Sequence, residues 1–212
     1  MIDRIEAEEH LRIIRSLMEK ATIYRAISAP GALVGGGLSV CAAVAGLGLS
    51  KPGTDVPHEW LRFAIPWGLV FGLTTIVNLL LLRKDARRRN EEFVSQRMQL
   101  AIRGMVPALL GGGFATFLQC DGGWAATASL WVLCYGISLL AASHFAPKSI
   151  CWLGRAFFVA GCALLAGGNF LFSNWLGTNQ MWIGHVIMGS TFGLFHLIYA
   201  VCTWPRKLAV VT

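Results

Sequence analysis

A-P-G-A-L-V-G-G-G, Ala29 to Gly37, occurs nearly three times in this chain. Val106 to Gly113 reads V-P-A-L-L-G-G-G, and Gly161 to Gly168 reads G-C-A-L-L-A-G-G. Each copy sits in a long apolar run, and each run is followed by a second. The six uncharged or nearly uncharged runs cover 26–49, 63–82, 104–120, 122–143, 156–172 and 181–204, and are 17 to 24 residues long. About 20 helical residues cross a hydrocarbon core of ~30 Å. Lipid offers the backbone no hydrogen-bond partner, so such runs form helices or closed barrels, and the lack of period-2 alternation excludes the barrel. The fold read from this pattern is an all-α integral membrane protein of six transmembrane helices, set out as three tandem two-helix hairpins.

The second run of each pair carries the repeat further. Trp67 to Thr74 (W-G-L-V-F-G-L-T), Trp131 to Ser138 (W-V-L-C-Y-G-I-S) and Met188 to Phe195 (M-G-S-T-F-G-L-F) align without a gap, each with an aromatic before glycine. Gly31 with Gly35, Gly68 with Gly72, and Gly189 with Gly193 form G-x-x-x-G pairs, which let a neighbouring helix backbone approach closely. Pro30, inside the first run, is expected to kink its helix by removing a backbone hydrogen bond.

Composition agrees with a lipid environment. Of 212 residues, 55% are hydrophobic and 14% charged, against about 25% charged in soluble domains. The net charge is +7, and Lys and Arg are distributed by side. Of the 18 Lys and Arg, all but Lys51 and Arg62 fall before the first run, between the second and third, between the fourth and fifth, or after the sixth. The positive-inside rule therefore places both termini in the cytoplasm, with the protein in the cytoplasmic (inner) membrane. A basic balance used in this way does not point to nucleic acid. The six cysteines contain no C-x-x-C pair and read as small buried hydrophobes. No cleavable signal peptide is expected, because the first 24 residues are polar and acidic.

Three segments follow: a cytoplasmic amphipathic helix over 1–25, a transmembrane domain over 26–205, and a short cytoplasmic tail over 206–212. The N-terminal stripe of Ile2, Ile5, Ile13, Ile14, Leu17, Met18 and Ala21 suits a leaflet surface or a protein partner bound through residues 1–24. The cytoplasmic connection 83–103 carries Arg83, Lys84, Arg87, Arg88 and Arg89, for which anionic lipid head groups are the natural neighbours.

Intramembrane polar groups are costly and are functional candidates by default. No Asp or Glu lies within a run, which argues against carboxylate-based proton coupling. Asn78, Thr74, Thr75 and His196 lining one cavity would make a solute path. His185 and His196, eleven residues apart, fall almost on one helical face. His196 with His144 is the pair that would hold haem or a metal, although the overall pattern assigns neither cofactor nor metal. Ser129 and His185 lie at a matching depth, about 6–8 Å below Trp124 and Met181 respectively, as a serine hydrolase requires. In this the chain resembles the rhomboid proteases, which have six spans, cytoplasmic termini, a fourth-helix serine and a sixth-helix histidine followed by G-x-x-x-G. That resemblance implies Ser129 as nucleophile and His185 as base, while the family's G-x-S-G stands here as A-T-A-S-L, Ala126 to Leu130. The tandem two-helix units with Pro30 and Pro107 also resemble the mitochondrial carriers, but the charged signature after the proline is absent. The glycine stretch is not a phosphate-binding loop, since no strand precedes it and no G-K-[ST] follows.

The reading that results is a non-enzymatic accessory or structural subunit that binds a protein partner or lipid at its cytoplasmic face. A small-solute or lipid transporter, an intramembrane serine hydrolase and a haem protein are the alternatives.

Overall fold

A computed structural model of the chain describes residues 6–15, 28–49, 59–89, 96–118, 123–143, 146–171 and 180–204. Residues 6–15 are helical and exposed, and six long helices follow, with no strand among the described residues. They are α1 (Ala29–Leu49), α2 (Glu59–Arg89), α3 (Gln96–Leu118), α4 (Trp124–Ala141), α5 (Lys148–Leu171) and α6 (Gln180–Thr203). Each is long and apolar enough to cross a membrane. Of the N-terminal stripe, only Ile13 and Ile14 are described, and both are exposed; its other members and the tail lie outside the described residues.

Pro30 does not kink α1. The helix begins at Ala29, so Pro30 occupies the first turn, where an N–H would have no acceptor within the helix. Pro66 and Pro107 are the interior prolines, in α2 and α3. Hydroxyls in the spans mostly return to their own helix: Ser39, Thr75, Ser129 and Thr203 donate to carbonyls four residues back at 2.7–2.8 Å. In apolar surroundings this satisfies the side chain without a partner helix.

The bundle is centred on α4 and α6. α4 packs along α3 and α5 and against the first half of α6, while α1 lies along the whole of α6 and along α2. α1 thus packs on α2 and α3 on α4, while α5 rests chiefly on α4 and meets α6 mainly over its second half. Glycines set these approaches. A Cβ on Gly161 would lie 2.6 Å from the Leu133 backbone, and one on Gly136 would lie 2.5 Å from that of Phe158. The core between the helices is aromatic, with Phe63, Trp124 and Phe157 almost fully buried.

α6 is interrupted by a π turn over Gly189–Gly193, where the Leu194 N–H bonds to the Gly189 carbonyl five residues back. The Ser190 and Thr191 hydroxyls both donate to the Ile187 carbonyl just before this turn, at 3.0 and 2.7 Å. One extra residue in a turn offsets the following helix by about 100°. His185 and His196 therefore face different neighbours, contrary to the single face that regular spacing predicts.

Candidate functional site

His185 precedes the π turn and is 1% exposed. Its Nδ1 accepts the Trp67 Nε1–H at 3.1 Å, which leaves the ring proton on Nε2. Phe63 packs on the imidazole with ring centroids 5.2 Å apart. Gly46 of α1 supplies the room, since a Cβ there would meet the imidazole ring itself. Ser129 is also buried, but its hydroxyl donates to the Ala125 carbonyl at 2.8 Å. No hydrogen bond joins Ser129 to His185 among the described residues. A nucleophile must pass its proton to the base, and here that proton points into its own helix. Purified protein is expected to stay unlabelled by a fluorophosphonate probe; labelling at Ser129 that is lost in His185→Ala would establish the hydrolase instead.

His196, beyond the π turn, meets α4. Its Nε2 pairs with the Tyr135 hydroxyl at 2.9 Å and its Nδ1 with the Phe192 carbonyl at 2.8 Å. A carbonyl can only accept, so Nδ1 carries the proton and Nε2 takes the tyrosine's. Phe157, Phe192 and Tyr135 pack around the ring with centroids 5.5–6.2 Å from it. Axial ligation needs an imidazole lone pair, and that of His196 is engaged by Tyr135. His144 lies outside the described residues. Among the described residues no three His, Cys, Asp or Glu side chains are grouped to hold a metal ion. Tyr135 was visible in the sequence only as the aromatic before Gly136, and Trp67 only as the first residue of the aligned W-G-L-V-F-G-L-T stretch. Neither signals a histidine partner, because both contacts are made between helices distant in sequence.

The polar groups of α2 divide between two sides. Thr74 and Asn78 face α1, where Cβ atoms on Gly35 and Gly31 would collide with them. The Thr74 Oγ1 and Asn78 Oδ1 are buried there without a hydrogen-bond partner. Asn78 Oδ1 occupies the place of the missing Gly31 Cβ, so its close neighbour is the Gly31 Cα–H, a weak donor. Thr75 is exposed and bonds to the Phe71 carbonyl. With His196 held by Tyr135 on another helix, these four residues do not line one cavity.

The G-x-x-x-G pairs also separate. Gly31 and Gly35 pack on α2, while Gly189 and Gly193 pack on Ala43 and Val40 of α1. Gly68 and Gly72 face open space, with no atom within 4 Å of an added Cβ. Among the described residues no other helix packs on them, because the α1-facing stripe of α2 runs through Thr74 and Asn78 instead.

The remaining feature is the C-terminal end of α2. The helix has 31 residues, about 46 Å at 1.5 Å per residue, which exceeds the ~30 Å hydrocarbon core by several turns. Leu80, Arg83, Lys84, Arg87 and Arg88 line an open concavity of about 510 Å³ there. All five are exposed, and among the described residues none of the four basic groups has an acidic partner. Arg89 ends the helix, and its side chain lies outside the described residues.

No family model matches this chain, and neither a curated protein nor a solved structure matches it. What the fold itself defines is a bundle of six membrane-length helices with a basic helical extension.

Proposed function

We propose that this is a multi-pass protein of the cytoplasmic membrane, with both termini in the cytoplasm, which acts by binding rather than by chemistry. It is an accessory or structural subunit whose cytoplasmic rim engages a protein partner through residues 1–24 and the anionic lipid of that leaflet through α2. The observation that carries this reading is the exposed basic end of α2, standing beyond a span that is otherwise apolar. The buried polar side chains support it from the other direction, because the two described span histidines are bonded between helices and the Ser129 hydroxyl is bonded to its own helix. Lys148 and Arg155 open α5 on the same side, where the Arg155 guanidinium lies 5.1 Å over the exposed Trp152 ring. A cation over an aromatic suits the interface between head groups and chains.

Purification of the full chain and of a chain lacking residues 1–24, in mild detergent, tests the reading. A defined protein recovered in constant ratio with the full chain and lost from the shortened one is the expected result. An unchanged set of co-purifying proteins overturns the partner role.

A further inference from the structure

Leu69, Leu73, Ile76, Leu80, Arg83 and Arg87 are spaced four, three, four, three and four residues apart. That alternation keeps them on one face of α2. The face is directed away from the bundle: Leu69, Leu73, Ile76 and Leu80 are between 49% and 61% exposed where a soluble core would bury them. Thr74 and Asn78 mark the opposite side, against α1. One continuous stripe therefore runs from an apolar stretch of about three turns directly into a cluster of positive charge. The cluster contains two ladder pairs, Arg83 with Arg87 and Lys84 with Arg88, each four residues apart and so about 6 Å along the axis.

The end charges decide what covers this stripe. Copies of this chain insert in the same direction, so two α2 helices packed on these faces would bring Arg83 and Arg87 against their own counterparts. Like charges at that distance repel. A molecule with apolar chains and an anionic head, lying antiparallel to nothing and held along its length, matches both parts of the stripe. Two basic ladder pairs offer cradles for two phosphate groups, in which a guanidinium binds phosphate oxygens through paired N–H donors.

We infer that α2 carries a stoichiometric binding site for an acidic phospholipid with two phosphate groups, its acyl chains along Leu73, Ile76 and Leu80 and its phosphates between Arg83, Lys84, Arg87 and Arg88. This rests on the proposed cytoplasmic placement of the basic end, and it sharpens general leaflet attraction into one site with one lipid class. Such a lipid would complete the outer face of the least enclosed helix of the bundle.

The full chain is reconstituted in phosphatidylcholine nanodiscs containing either cardiolipin or, at equal total charge, phosphatidylglycerol, and lipids retained after transfer to detergent are counted by native mass spectrometry. One cardiolipin per chain is expected on the wild type and on Lys148→Gln, which removes a basic residue of the same side from another helix. In Arg83→Gln/Arg87→Gln, whose exposed positions leave folding intact, retention is expected to fall about thirtyfold, the attraction of two basic residues near an anionic surface. Equal retention of phosphatidylglycerol per charge, or equal loss in Lys148→Gln, overturns the two-phosphate site while leaving leaflet attraction standing. Failure to retain any acidic lipid overturns the lipid part of the proposed function as well. A lipid-free dimer that Arg83→Glu strengthens would assign the stripe to a second copy.

Discussion

Gly161→Val is expected to lower the stability of the bundle by about 3 kcal/mol, the upper end of the usual overpacking range, and to leave little folded protein. The reason lies in what the new side chain meets. A Cβ at Gly161 falls 2.6 Å from the Leu133 Cα and backbone nitrogen, and backbone within a helix cannot rotate aside as a side chain can. α5 would have to withdraw from α4 along its length, opening the most extensive helix pair of the fold. Gly168→Val, seven residues further along α5, is the matched control. No atom lies within 4 Å of a Cβ there, and the change is expected to stay within about 0.5 kcal/mol. Thermal unfolding of both variants in one detergent measures the difference. Equal stability for the two would mean that α4 and α5 do not approach as described.

The second large effect concerns the pair that holds α2 to α6. Trp67→Phe keeps an aromatic ring but removes the Nε1–H that His185 Nδ1 accepts. Both residues are buried, at 3% and 1% exposure, so the imidazole nitrogen is left unpaired at a cost of about 1–3 kcal/mol. His185→Leu strands the indole N–H in the same way. Replacing both removes the donor and the acceptor together, which is close to neutral for the polar account. The double variant is therefore expected to be more stable than the two single losses added would give, by about 1 kcal/mol or more. Strict additivity would show that the contact contributes nothing. His185 in this account is a positioning group between helices, and its loss is expected to change stability without changing any reactivity toward a serine-directed probe.

The six helices were legible because the requirement is local and severe. A run of about 20 apolar residues must satisfy its own backbone, and only helix does so within one segment. α2 continues through Arg83 to Arg89, since nothing in that stretch breaks a helix. The three similar glycine stretches, of which Ala29–Gly37 is the first, do different work. Gly31 and Gly35 admit α2, a Cβ on Gly112 would lie 3.0 Å from the Cys134 Cβ of α4, and Gly161 packs back onto α4 rather than onward to α6. A glycine in sequence marks that something approaches; it does not name the neighbour.

Regular spacing misled most at α6. Eleven residues between His185 and His196 place them on one face of an ideal helix, and the π turn at Gly189–Gly193 sends one to Trp67 and the other to Tyr135. The Ser190 and Thr191 hydroxyls that bond the Ile187 carbonyl beside the turn are common residues with no distinctive spacing. The serine and histidine at matching depth likewise did not become a pair. Depth is fixed by position along each helix, but contact also depends on the rotation of each helix about its axis.

By itself, then, the sequence determined the number of long apolar helices, their approximate places in the chain and the run of basic residues that follows the second, because these follow from the composition of each segment alone. Only the tertiary structure decided which glycines are contacts, which hydroxyls turn inward and which face of α2 is left for a ligand. Those depend on helix rotation and pairing, which in a nearly uniform apolar sequence are set by small differences in close packing between segments far apart in the chain.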